Sequence, residues 1–213
     1  MGEPDPRQLM GDPEKTALLV IDMQNDFVKP GAPLATPRGM AIVPVIASLA
    51  REARRRGFPV VFTQEQHRAD GSDFGIELLF EPPHCIEGSG GDDIVAELAP
   101  EPADIRIRRK RRYDAFQGTD LDAWLRANGI QNLLVTGVCT DICVLATVLR
   151  ARNLDYRCFV IEEGVDGTSS DRHEAALRCM GHVFAYVGRA EEIARLFGMN
   201  ARVSTGTRPG VDD

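Results

Sequence analysis

The chain has 213 residues, enough to bury one full core and too few for two ordinary domains with much to spare. Hydrophobic residues make up 43% and charged ones 27%, both near globular averages, which excludes disorder as the main state. A net charge of −7 speaks against nucleic acid or an anionic membrane as the partner.

The start, MGEPDPRQLMGDPEKT, has neither a basic end nor a hydrophobic signal core, and no apolar run is long enough to span a bilayer. A cytoplasmic protein with no membrane partner is expected. The five cysteines, Cys85, Cys139, Cys143, Cys158 and Cys179, form no close pairs and no zinc-type pattern, which fits reduced thiols.

In chain order, residues 17–22 are apolar up to Asp22, the pattern of a central parallel strand covered on both faces. A Pro- and Gly-rich loop, VKPGAPLATPRG, leads to a helix over 40–56, with Ile42, Val45, Ile46, Leu49 and Ala53 at helical spacing and Gly57 as its stop. FPVVFT at 58–63 is the second strand. Residues 64–92 carry many Gly, Pro, Asp and His residues without a sustained period, so a long loop is expected, of the kind that forms lids and pocket walls.

A short helix over 93–98 precedes ADIRIRR, a third strand. GTDLDAWLRANG reads as a helix capped at Thr119 and stopped at Gly129. QNLLVTGV, DICVLATVLRARN, YRCFVIEE, SSDRHEAALRCMG, HVFAYV and AEEIARLFG continue the alternation of strand and helix. The last stretch, from residue 200 to 213, is polar, and a loose tail is expected there.

The alternation predicts one α/β domain with its core over about 15–198. Its architecture is three layers, a mostly parallel six-stranded sheet with helices on both faces and right-handed crossovers. In such sheets ligands bind beyond the carboxyl ends of the strands, where strand order reverses. Asp22, Lys110 and Cys143 each lie at the downstream end of a predicted strand. A thiol on the first turn of a helix faces free N–H groups and the positive end of the helix dipole, which favour the thiolate. Taken singly, the three read as a loop acid, a solvated lysine in RRKRR and a small buried hydrophobe. Their shared location points to one catalytic cleft.

Three segments, ALLVIDMQNDF at 17–27, KRRYDAFQGTDLDAWL at 110–125 and LLVTGVCTDICVLATVLRARNLDY at 133–156, resemble the isochorismatase-like cysteine hydrolases. That family includes nicotinamidases, N-carbamoylsarcosine amidases, ureidoacrylate amidases and biuret hydrolases. The resemblance implies a Rossmann-type strand order, a catalytic Asp22, Lys110 and Cys143, and a cis peptide between Val138 and Cys139. It implies an oxyanion hole from the backbone N–H groups of Cys139 and Cys143. The implied activity is cysteine-dependent hydrolysis of a C–N bond, other than a peptide bond, in a small amide, ureide or N-carbamoyl compound through a thioester, with no cofactor, by a homo-oligomer (dimer or tetramer). Cys139 is the rival nucleophile and reads better as a packing element.

Nicotinamidases carry an acid-x-His pair and a second His that bind a divalent metal, and Glu65 and His67 match the pair loosely. A second His is not evident near them, the next being His84, and two ligands do not make a site, so no metal is expected. His67 is instead expected at the substrate, with Gln24, Phe27, Phe116 and Thr140 lining the pocket. Cys85 is expected to be structural. A metal-dependent nicotinamidase and a catalytically idle binding or scaffold protein are the alternatives; retention of Asp22, Lys110 and Cys143 argues against the second.

Overall fold

The computed structural model describes residues 5–200. Beyond Asn200 the expected loose tail lies outside the described residues. Six parallel strands form one sheet in the order β3-β2-β1-β4-β5-β6. They are β1 (Thr16–Ile21), β2 (Val60–Glu65), β3 (Ile105–Lys110), β4 (Asn132–Val138), β5 (Arg157–Asp166) and β6 (Ala185–Gly188).

Seven α-helices accompany them: α1 (Pro6–Leu9), α2 (Asn25–Val28), α3 (Gly39–Arg55), α4 (Leu121–Ala127), α5 (Leu145–Asn153), α6 (Ser170–Val183) and α7 (Ala190–Leu196). Because β1 is central, both of its faces are buried. Leu18 and Val20 pack with Ile42, Ile46 and Leu49 of α3 and Ile193 of α7. Ala17, Leu19 and Ile21 pack on the other side with Leu125 of α4, Val148 of α5 and Met180 of α6. The continuous apolar run of β1 follows from having two covered faces.

Strand order reverses between β1 and β4, whose last paired residues are Ile21 and Gly137. A Cβ on Gly137 would lie 2.0 Å from the Ile21 carbonyl oxygen, and Gly137 has φ +112°. Only glycine fits there. The chain therefore leaves two adjacent strands at one point, putting Asp22 next to the segment that begins at Cys139.

Several boundaries differ from those read in the sequence. HVFAYV is not all strand: His182 and Val183 complete α6, and β6 begins at Ala185. The stretch expected as a helix over 93–98 has only a 3-10 turn, Ala96–Leu98, and the long loop holds another, Gly75–Leu79. β2 runs on to Glu65, which moves that acid from a loop onto a strand end.

Candidate active site

Three strand ends converge on a buried ion cluster. Asp22 follows β1 with φ +48° and is fully buried. Thr63 of β2 donates its hydroxyl to Asp22 Oδ1 at 2.6 Å, and Lys110 Nζ lies 2.7 Å from Oδ2. The same ammonium lies 2.5 Å from Glu65 Oε2 and 3.6 Å from Cys143 Sγ. Ligand atoms of Asp22, Glu65 and Cys143 all fall within 4.8 Å of one another.

Lys110 reaches this position through a register shift. β2 and β3 pair evenly to Thr63, then irregularly to Glu65 opposite Lys110, and Arg109 takes φ +61°. Strict alternation from Ile105 and Ile107 would turn Arg109 inward; the irregularity leaves Arg109 exposed and Lys110 buried.

Cys143 lies on a π-helical turn, Thr140–Val144, that joins the cis peptide Val138–Cys139 to α5. The N–H groups of Ile142 and Val144 donate to the Cys139 carbonyl at 3.0 and 3.1 Å. Thr140 is tied away from the cavity by a 2.9 Å contact between its hydroxyl and His173 Nδ1.

The charges sort by environment. Burial works against the Lys110 cation, but Asp22, Cys143 and Glu65 raise its pKa well above the lysine range. Burial also opposes the Glu65 anion, yet Lys110 and the two imidazoles His67 and His84 hold it well below the carboxylate range. For Asp22 burial prevails over Lys110 and the pKa is raised. Burial likewise pushes the Cys143 thiol well above its ordinary value despite Lys110. The thiolate expected from the helix terminus is therefore opposed by burial, which raises the Cys143 thiol despite the neighbouring Lys110.

A cavity of about 210 Å³ opens onto Cys143, walled by Phe27, Leu34 and Ile142 on its apolar side and by Glu81, His84 and Tyr113 on its polar side. Of the residues expected to line it, Phe27 does. Phe116 instead stacks on Tyr156 at 5.8 Å in the core. Gln24 clamps strands, its amide donating to the carbonyls of Glu65 and Asp92 at 2.7 and 2.8 Å while its oxygen accepts from Glu65 N–H at 2.7 Å. Cys139 lines the cavity as well, and Cys85 is buried in the core with its N–H donating to Asp26 at 2.7 Å.

His67 is fully buried and lies outside the cavity lining, stacked on Phe74 at 3.8 Å between ring centroids. It belongs to a second cluster that the sequence did not disclose. Donor atoms of Glu65, His67, Glu77 and His84 all lie within 4.8 Å of one another, and all four residues are buried. His84 Nδ1 is 2.8 Å from the Pro82 carbonyl, and its Nε2 faces the carboxylates, 2.9 Å from Glu65 Oε1 and 3.8 Å from Glu77 Oε1. His67 Nδ1 faces Asp73 at 3.4 Å and its Nε2 faces Glu65 at 3.3 Å.

Both Glu77 carboxylate oxygens are buried without a hydrogen-bond partner. Two imidazoles, one of them oriented by a backbone carbonyl, and two carboxylates with converging oxygens fit a divalent cation. The expectation of too few ligands fails because His84 and Glu77, distant in sequence from Glu65, fold back onto it.

The isochorismatase domain profile matches residues 16–192. The chain belongs to the isochorismatase family. It is 37% identical over 171 residues to the isochorismatase family protein PncA of Bacillus subtilis, covering 76% of this chain and 92% of that protein. Identity to a nicotinamidase of Escherichia coli is 34% over 190 residues, 75% of this chain and 87% of that one. Identity to the ureidoacrylate amidohydrolase RutB of Methylobacterium radiotolerans is 30% over 225 residues, 94% and 86% of the two chains. A solved isochorismatase family structure from Desulfovibrio vulgaris superposes with a TM-score of 0.81 at 34% identity, covering 86% of this chain and 98% of that one.

For an isochorismatase family member, three motifs of the sequence carried Asp22, Lys110 and Cys143, and these side chains do meet. The aperiodic stretch was expected to wall the pocket; what sequence reasoning missed is which of its residues reach the site, Glu77, Glu81 and His84. The signals present were the acid-x-His pair and the later His84 in a segment with no hydrophobic period.

Proposed function

We propose that the protein is a cysteine-dependent amidohydrolase that cleaves a C–N bond of a small amide, ureide or N-carbamoyl compound through a thioester. The observation that carries this is the convergence of Asp22, Lys110 and Cys143, with Cys143 lining a cavity and Lys110 Nζ 3.6 Å from its sulfur. Asp22 takes the Cys143 proton as the sulfur attacks the substrate carbonyl, and Lys110 stabilises the anions on either side. The backbone N–H groups of Cys139 and Cys143 receive the oxyanion. Asp22 then returns its proton to the departing nitrogen, and the thioester and free amine or ammonia result. Water attacks the thioester with Asp22 again accepting a proton, which releases the acid and restores the thiol.

An ammonia-release screen over nicotinamide, biuret, ureidoacrylate-type acids and N-carbamoyl compounds tests this, run on the wild type and Cys143→Ala. Turnover by the wild type and none by the variant supports it; turnover retained in Cys143→Ala overturns it.

The metal-dependent nicotinamidase reading is favoured by the Glu65, His67, Glu77 and His84 cluster. Those four residues would hold a divalent ion, which when bound supplies a Lewis-acid contact for an electron-pair donor on the substrate. His67 and His84 present their Nε2 atoms to it, and Glu65 keeps its other oxygen on Lys110. Metal analysis of the purified protein, with nicotinamide turnover before and after chelation, separates this reading from the metal-free one.

A further inference from the structure

Glu81 stands at the polar side of the cavity, held by the 3-10 turn before it and by Pro82 after it. Its N–H donates to the Glu77 carbonyl at 3.0 Å, and Pro82 and Pro83 restrict the chain that follows. The carboxyl lines the same cavity as Cys139 and Cys143; burial raises its pKa above the usual carboxylate value against the pull of His84 and Lys110.

No Lys or Arg is found among the described residues that line the cavity. Lys110 lies behind Cys143, fully buried and committed to Asp22 and Glu65. Arg111 and Arg112 lie beside the cluster: Arg111 pairs with the Asp73 carboxylate, and Arg112 donates to the Asp73 carbonyl at 3.2 Å and lies 3.9 Å from Glu77 Oε2. A substrate carboxylate entering this cavity would meet the carboxyl groups of Glu81 and Glu65, with His84 the one basic side chain among the described lining residues. A divalent ion in the neighbouring cluster would add two positive charges that, with Lys110, offset Asp22, Glu65 and Glu77 and leave Glu81 outside that set.

We infer that Glu81 is a specificity-determining residue that turns the cavity against amides and ureides bearing a carboxylate and toward those whose remaining part is neutral or cationic. The inference rests on the cysteine mechanism above and narrows its substrate class. Tyr113, whose phenol is pushed up to about 12 by burial and by Glu77 and Glu81, keeps its proton and adds a neutral hydrogen-bonding group to that wall. An amide N–H or an ammonium group finds acceptors there; an anion finds repulsion and an unreplaced hydration shell.

The test uses two alkylating reagents of equal size and leaving group, iodoacetamide and iodoacetate, with the labelled residue mapped by mass spectrometry in metal-free and zinc-loaded protein. In the wild type, Cys143 reacts with iodoacetate more slowly than with iodoacetamide by about tenfold beyond the ratio shown by a free thiol. Glu81→Gln removes the excess, and Glu81→Lys reverses it, a change of sign that a merely structural role would not produce. In the hydrolysis screen, Glu81→Lys lowers KM for carboxylate-bearing ureides relative to neutral amides. A wild-type ratio equal to that of the free thiol, or one unchanged in Glu81→Gln, overturns the charge preference and leaves the cysteine mechanism standing. Failure of both reagents to label Cys143 overturns the two together.

Discussion

The Glu65 carboxylate lies 2.5 Å from the Lys110 ammonium, on adjacent parallel strands whose register shifts to bring them opposite. Its other oxygen lies 2.9 Å from His84. One buried acid thus joins the catalytic cation to the histidine cluster, and the charge of Lys110 is held by two carboxylates rather than one.

Removing that cation leaves Asp22 and Glu65 buried without a counter-ion. Lys110→Ala is expected to abolish activity and to cost about 3–5 kcal/mol of stability at neutral pH. The sign with pH follows from the loss of the ammonium: both carboxyls then have raised folded-state pKa values, so the penalty is full at neutral pH and shrinks as pH falls through those raised values toward the ordinary carboxylate range. Urea midpoints of the variant and wild type at neutral and mildly acidic pH check this; a penalty that does not shrink contradicts it.

In the proposed mechanism the Cys143 thiol and Asp22 share one proton in the active form. Since burial raises Asp22 above its ordinary value, alkylation of Cys143 is expected to switch on as Asp22 ionises, at a pH above the usual carboxylate range, and to reach a plateau there. A rate that keeps climbing through the ordinary thiol range would show that Asp22 does not accept the proton. Cys179 is exposed and serves as the internal reference.

How much of this was legible in the sequence depends on what places each residue. Asp22 stands immediately past an apolar strand and Cys143 a short turn beyond another, so periodicity and motif both locate them. Lys110 was placed at a strand end and by motif, but alternation along IRIRRK assigns the inward position to Arg109, and only the irregular pairing with β2 turns Lys110 inward. Phe116 and Gln24 flank motif residues but point into the core or across strands, which spacing cannot resolve. His84 and Glu77 join Glu65 through loop closure, and a stretch without a period carries no record of that.

The histidine cluster predicts metal binding. Wild-type protein stripped of metal is expected to take up about one equivalent of zinc, with His67→Ala and His84→Ala greatly weakened. Asp73→Asn, which alters the partner of His67 Nδ1, should lose about 10–100-fold in affinity. Isothermal titration calorimetry measures all four; equal affinity in the two histidine variants would remove the cluster as the site.

Gly137 fixes the approach of β4 to β1. Gly137→Ala would drive its Cβ to 2.0 Å from the Ile21 carbonyl oxygen, with backbone on both sides and no flexible group to yield. A loss of more than about 4 kcal/mol is expected, read from urea unfolding. A variant of near wild-type stability would mean that the strands can separate without cost.

Nucleophilic attack by Cys143 is tested most directly by trapping the acyl-enzyme. Rapid acid quench during turnover of an amide found in the screen, followed by peptide mass mapping, is expected to show the substrate acyl group on Cys143 and on no other cysteine, and none in Cys143→Ser. Turnover with the acyl group on Cys139, or hydrolysis that persists in Cys143→Ser, would contradict the account.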